Sequence, residues 1–163
     1  MKKNNNKASK LIKIVISRGL GEIAKNNNEL DLNLNEISQI TGQWPKKNKA
    51  KKSVANFKVR EGTNIGLSVT LRKLKMYSFF EKLIHLILPR VKDFQGLSYK
   101  SFDGHGNYNF GILDQLVFPE MLYDNIIKLN GFNISIITTA KTNKEAFFIL
   151  ETMGLPLKPT VTV

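Results

Sequence analysis

Ile65-Gly-Leu-Ser-Val-Thr-Leu-Arg72 decides the fold class. Ile65, Leu67, Val69 and Leu71 form one row and Gly66, Ser68, Thr70 and Arg72 the other, so a period of two puts apolar and polar rows on opposite sides of a half-buried strand. The outward row is small, hydroxyl-bearing and cationic. Just upstream, residues 54–60 alternate as well, with Ala55, Phe57 and Val59 against Asn56, Lys58 and Arg60, which predicts a further strand. That assignment turns Phe57 inward, so no aromatic ring is expected on the basic side to stack on bases. Leu11 to Ile16 is a short β-branched run stopped by Gly19 and Gly21, and Gln115–Phe118 and Ile134–Thr139 also read as strands.

Helical spacing appears in three places. Leu30, Leu34, Ile37 and Ile40 recur along one face and stop at Gly42; Trp44-Pro45 breaks the pattern. Met76 to Leu88 has only Ser78, Glu81, Lys82 and His85 as a polar stripe, and Pro89 ends it. Thr142-Asn-Lys-Glu145 is a capping box, with Gly154 and Pro156 closing the helix it opens. Gln95 to Phe110, rich in Gly, Ser and Asn, reads as a long loop. The order β-α-β-β-α-loop-β-β-α argues for an α+β fold, an antiparallel-rich sheet with helices packed on one face and the other face left open. The domain is expected over 11–157, between a basic tail at 1–10 and a short tail at 158–163.

A chain of 163 residues, 42% apolar and 23% charged, can bury a core and is not a disordered polymer. It has no cysteine, which excludes a disulfide scaffold, a thiolate metal site and a cysteine nucleophile. Lys and Arg number 25 against 13 Asp and Glu, and a net charge of +12 draws polyanions, nucleic acid before anionic membrane. Phe79–Leu88, the longest apolar stretch, is too short and too interrupted to span a bilayer. Met1–Lys10 lacks the apolar stretch of a secretory signal. No membrane contact is expected.

Charge is concentrated between Trp44 and Arg60, where Lys46, Lys47, Lys49, Lys51, Lys52, Lys58 and Arg60 meet no acidic residue. Such a run repels itself unless a phosphate backbone neutralises it, and it reads either as a solvated loop or as a basic finger that orders against RNA. On the neighbouring strand, Ser68, Thr70 and Arg72 offer hydroxyl and guanidinium donors to phosphates and 2′-OH groups. Asp103 and His105, set between glycines, invite a nuclease reading, but a carboxylate and an imidazole without further ligands make a poor metal or acid–base site. Gly104-x-Gly106 lacks the rest of a dinucleotide fingerprint, no phosphate-loop motif is present, and Asn133-Ile-Ser135 matches a glycosylation sequon by pattern only. No cofactor, metal or catalytic residue is expected. A metal-dependent nuclease and a free-standing nucleic-acid-binding regulator are two readings these residues leave open.

These residues together resemble a known family, the bacterial-type universal large-subunit ribosomal protein five, which binds 5S rRNA. The resemblance runs through Ile40-Thr-Gly-Gln-Trp-Pro45, Lys49-Ala-Lys-Lys-Ser-Val-Ala-Asn-Phe-Lys-Val-Arg-Glu-Gly62, Ile65-Gly66 with Val69-Thr-Leu-Arg72, and Leu88-Pro-Arg-Val-Lys-Asp-Phe-Gln-Gly-Leu-Ser98. It continues in Lys100-Ser-Phe-Asp-Gly-His-Gly-Asn-Tyr108, Gln115-Leu-Val-Phe-Pro-Glu120 and Thr138-Thr-Ala-Lys141. The family implies no catalysis and a place in the central protuberance, linking 5S rRNA to the large-subunit rRNA. It also implies a basic loop contacting P-site tRNA, an edge meeting a small-subunit head protein across the intersubunit bridge, and neighbouring large-subunit proteins as partners.

Carried over, Gln43, Thr70 and Arg72 match family positions at the RNA-binding face, Arg90 is a further basic candidate, and Lys13, Ser17, Arg18 and Ser68 complete the rRNA-binding set expected here. Lys49, Lys51, Lys52, Ser53, Asn56, Lys58 and Arg60 become the tRNA-facing loop. The chain departs from the family pattern at Ser17, where Asn is usual, at Lys73, where Gly is usual, and at His105, where Arg is usual. A ten-residue basic tail also stands where members carry an N-terminal helix. The Lys/Asn/Ile-rich composition and Phe94-Gln-Gly96 point to an organelle ribosome, plastid ahead of mitochondrion, with the bacterial cytoplasm as the alternative.

Overall fold

A computed structural model describes residues 10–21, 26–121 and 129–158. Most of the basic tail expected over 1–10, and all but Lys158 of the expected C-terminal tail, lie outside the described residues. Five strands, β1 (Leu11–Gly19), β2 (Lys46–Lys49), β3 (Asn64–Leu71), β4 (Tyr108–Ile112) and β5 (Phe132–Thr138), form one sheet in the order β2-β3-β1-β5-β4. Every pairing is antiparallel. Among the described residues the α-helices are α1 (Asn27–Thr41), α2 (Lys73–Lys82) and α3 (Asn143–Thr152). This is the α+β architecture that the order of elements predicts, and among the described residues no helix is long and apolar enough to cross a membrane.

The strands bury alternate residues. Ile14, Ile16, Leu67, Val69, Leu71, Ile134 and Ile136 join Leu30, Leu34, Ile37 and Ile40 of α1, Met76, Phe79 and Phe80 of α2, and Ala146 and Leu150 of α3 in a single core. Local chemistry sets the helix ends. Asn26 caps α1, its side chain accepting from the Asn28 N–H at 3.1 Å, and Gly42 closes it in the left-handed region at φ 64°. Lys75 and Lys82 of α2 donate to the Gly42 and Ile40 carbonyls, at 2.9 and 2.6 Å, so their ammonium groups answer the negative end of α1. At α3 half of the capping box forms: Glu145 N–H donates to Thr142 Oγ1 at 3.4 Å, while the Glu145 carboxylate accepts from the Lys141 N–H at 3.1 Å instead of from that of Thr142.

Four elements differ from the expectation. Residues 54–60 are not a sheet strand: Val54 and Val59 pair only with each other, around a turn at Ala55–Phe57. Gln115–Val117 is a single helical turn, capped by Asp114, because Gln115 turns inward to a polar partner that a regular strand would not meet. The stretch read as loop up to Phe110 runs into β4, whose Tyr108–Ile112 pairs with Phe132–Ile136; its Asn109 and Gly111 masked the alternation. Lys46–Lys49 pairs with β3 as an edge strand, hidden by its lack of apolar residues. The helical run from α2 on through Leu83–Ile87 also has a wet side broader than a thin stripe, since Tyr77 and Leu86 are exposed.

Candidate nucleic-acid interface

The face of the sheet turned away from the core is built by register. Lys46 lies opposite Ser68, Ser68 opposite Ser17, Ser17 opposite Asn133, and Asn133 opposite Gly111. These residues form one transverse row of small polar groups ending in a lysine on β2. The next row runs Thr70, Val15, Ser135, Asn109, and Lys13 stands opposite Ile137 beyond it. None of the five strands contains an aspartate or a glutamate. Small side chains let a phosphate–sugar backbone approach closely, and hydroxyl and amide groups can then donate to it. Ser68 Oγ is oriented by Asn48 Oδ1 at 3.2 Å, within the same surface.

Adjacent lysines on β2 show how the two sides divide. Lys46 faces the open row, whereas Lys47 points toward α1 and lies 4.0 Å from Asp31. Carboxylates gather on the helical side, where α1 carries Glu29, Asp31 and Glu36.

Of the rRNA candidates, Lys13, Ser17, Ser68 and Thr70 share the open face. Arg72 is exposed just past β3, and Gln43 donates through Nε2 to the Thr70 carbonyl at 3.3 Å, holding its own loop against that strand. Arg90 stands apart, in the turn after α2, lining a cleft with Lys92, Phe110 and Lys158.

Arg18 is corrected by the structure: it lies inside the domain, on the core side of β1, with 2% of its surface exposed. Its guanidinium donates to Asn33 Oδ1 and Glu36 Oε2 at 2.7 Å each, to Gln115 Oε1 at 2.8 Å and to the Asn130 carbonyl at 3.4 Å, and it stacks 3.9 Å over the Phe132 ring. Burial lowers its pKa, and the hydrogen bond and charge of Glu36 oppose that shift. Alternation alone assigns it: a residue next to Ser17 must face the other way.

The basic loop is a projecting arm between β2 and β3. Ala50 N–H donates to Thr63 O at 2.8 Å and Gly62 N–H to Ala50 O at 3.0 Å at its base. Glu61 N–H donates to Ser53 Oγ at 2.9 Å. Val54 and Val59 exchange backbone bonds of 3.0 and 3.2 Å near its tip. Residues 51–58 are all exposed, so Lys49, Lys51, Lys52, Asn56, Lys58 and Arg60 stand in solvent while Ser53 braces the arm.

Two family models match the chain, "Ribosomal protein L5" over residues 4–60 and the C-terminal model of the same ribosomal family over residues 64–157. The chain belongs to the ribosomal protein L5 family. Similar proteins include the large ribosomal subunit protein uL5c of Emiliania huxleyi, 54% identical over 96% of this chain and 86% of that protein. That of Guillardia theta is 55% identical over 94% and 84%. The large ribosomal subunit protein uL5 of the Trichodesmium erythraeum strain IMS101 is 51% identical over 96% and 86%. The chain is accordingly a structural protein of the large ribosomal subunit and not an enzyme.

The Asp103 loop of this L5 chain is occupied with its own folding. Asp103 Oδ1 accepts from the His105 and Asn107 N–H groups at 2.8 and 3.0 Å, and Oδ2 accepts from Asn107 Nδ2 at 2.7 Å. Burial pushes the carboxyl pKa up, but the hydrogen bonds from Asn107 and His105 together outweigh it and hold the value below the ordinary one. Gly106 is required there, since a Cβ would come within 2.7 Å of the Ala140 carbonyl at a φ of 82°. No cluster of metal-ligating side chains exists among the described residues.

Sequence reasoning placed Lys46 in the basic run and not on the sheet, and it missed Asn48, Asn109, Asn133 and Ser135 on the open face. Asn133 and Ser135 alternate with Ile134 and Ile136 and were within reach; the others needed strands that carry little apolar signal.

Proposed function

We propose that the open face of the sheet binds 5S rRNA and that the domain links it to the large-subunit rRNA in the central protuberance. The observation that carries this reading is the row Lys46–Ser68–Ser17–Asn133–Gly111, set in strands with no carboxylate and backed by a rigid core. Phosphates are attracted by Lys13, Lys46 and Arg72, and each one neutralised releases counterions, so affinity falls with salt. The hydroxyl and amide row then selects by shape, because an irregular RNA surface must lie flat on it to bond with several strands at once.

The arm over 49–60 reaches P-site tRNA, its cations spaced along a hairpin rather than pooled in a pocket. Other edges meet a small-subunit head protein across the intersubunit bridge and neighbouring large-subunit proteins. The ribosome is that of a plastid, in keeping with the algal uL5c relatives.

The test is binding of the full chain to transcribed 5S rRNA with Arg72→Glu and, separately, Lys51→Gln/Lys52→Gln/Lys58→Gln. The first substitution is expected to abolish binding at physiological salt with the unfolding midpoint unchanged, and the second to leave it within about twofold. Intact binding by Arg72→Glu overturns the assignment of the face.

A further inference from the structure

The arm ends in an aromatic ring that its own fold does not use. Phe57 is 78% exposed at the third position of the turn Ala55-Asn-Phe-Lys58. The turn is well made: Lys58 adopts φ 51° and donates its N–H to the Ala55 carbonyl at 3.0 Å, directly inside the Val54–Val59 pair. Tips of this kind favour Gly, Asn, Asp and Ser, which supply positive φ or local hydrogen bonds; a phenylalanine contributes neither. Single exposed apolar residues are ordinary. What distinguishes this one is its company. Phe148 on α3 is 70% exposed but shares its helix with a mixed set, Lys144, Glu145 and Glu151, whereas Phe57 shares the arm with Lys51, Lys52, Lys58 and Arg60 and no carboxylate between them.

An apolar ring amid cations is mismatched to an apolar protein groove, and the cations themselves favour a polyanion. A nucleobase in a folded RNA offers both things at once, a π-face to stack on and flanking phosphates for the lysines. We propose that Phe57 stacks on an unpaired, outward-facing base of the tRNA that the arm meets, so that the arm holds tRNA by a base contact as well as by charge. The proposal rests on the tRNA-facing reading of the arm given above. Stacking of this type tolerates any base, which suits a contact that must accept every tRNA in turn. The backbone bonds shape the turn and so present Phe57 at the tip of the arm, outward and uncovered.

The test uses ribosomes carrying the full chain with Phe57→Ala, Phe57→Leu or Phe57→Trp, with the dissociation rate of deacylated P-site tRNA as readout. Phe57→Ala and Phe57→Leu are expected to speed dissociation by about tenfold, with the salt dependence unchanged because no charge is lost, and Phe57→Trp to match the native chain. A native rate for Phe57→Leu overturns stacking, since leucine keeps the apolar bulk without the flat face. The triple variant Lys51→Gln/Lys52→Gln/Lys58→Gln separates the two readings. If it loosens tRNA and flattens the salt dependence while Phe57→Ala does nothing, the stacking proposal fails and the tRNA-facing arm stands. If neither variant changes the rate, the arm reading fails and the stacking proposal with it.

Discussion

The sheet and the arm carry positive charge by opposite constructions. The open face is the outer side of a core in which Ile14, Leu67, Leu71, Ile134 and Ile136 are fully buried, so each Ser, Thr or Asn on it is fixed by packing beneath. The arm has no core at all: residues 51–58 are exposed, and hydrogen bonds between its two sides give it its shape. A surface fixed from behind can select a rigid RNA shape, whereas an arm without packing can adjust to a partner that comes and goes. The comparison therefore predicts that damage to the sheet shows in stability or in 5S affinity, and damage to the arm in neither.

The strongest break is at the pair Ser17 and Arg18, neighbours with opposite faces. Arg18→Ala leaves Glu36 and the polar groups around it without their cation, and chemical denaturation should show a loss of about 3 kcal/mol or more. Ser17→Glu instead sets a carboxylate in the middle of the open row. It should cost stability less than about 1 kcal/mol while weakening 5S binding about a hundredfold in a filter-binding titration. Equal effects of the two on stability would erase the distinction between the faces.

A smaller effect is expected at Lys73, which opens α2 in the left-handed region at φ 52°. Side chains are strained there and glycine is not, so Lys73→Gly should stabilise the chain by about 1 kcal/mol in a thermal melt, with arm and open face untouched. The smallest effect belongs to the Asp103 loop. Its carboxyl pKa is lowered on folding, so its contribution is present above the unfolded value of about 3.9 and lost as pH falls through the folded value beneath it. Amide exchange at His105 and Asn107 should be insensitive to this group from pH 8 to 5, apart from intrinsic chemistry, and lose protection only below about pH 4.

Most of the sheet core was legible because its signal is local. The alternation of Ile65–Leu71, the helical spacing of Leu30–Ile40 and the capping box at Thr142 each need only neighbouring residues. The edge strands were not: Lys46–Lys49 has no apolar member, and Tyr108–Ile112 interleaves Asn and Gly, so their pairing partners rather than their composition make them strands. The same distinction divides the site. Ser68 and Thr70 follow from one strand's alternation, but the row across the sheet requires strand order, which local pattern does not contain. Phe57 was misplaced for the opposite reason, a true alternation that a hairpin tip interrupts.

The central claim is that the acid-free face, and not the helical side, meets 5S rRNA. A photo-crosslinking side chain introduced at Ser135, on the open face, and another at Phe148, on α3, compare the two sides in the binary complex of the full chain with 5S rRNA. Crosslinks from position 135 and none from 148 are the predicted result; crosslinks from 148 with none from 135 would contradict it.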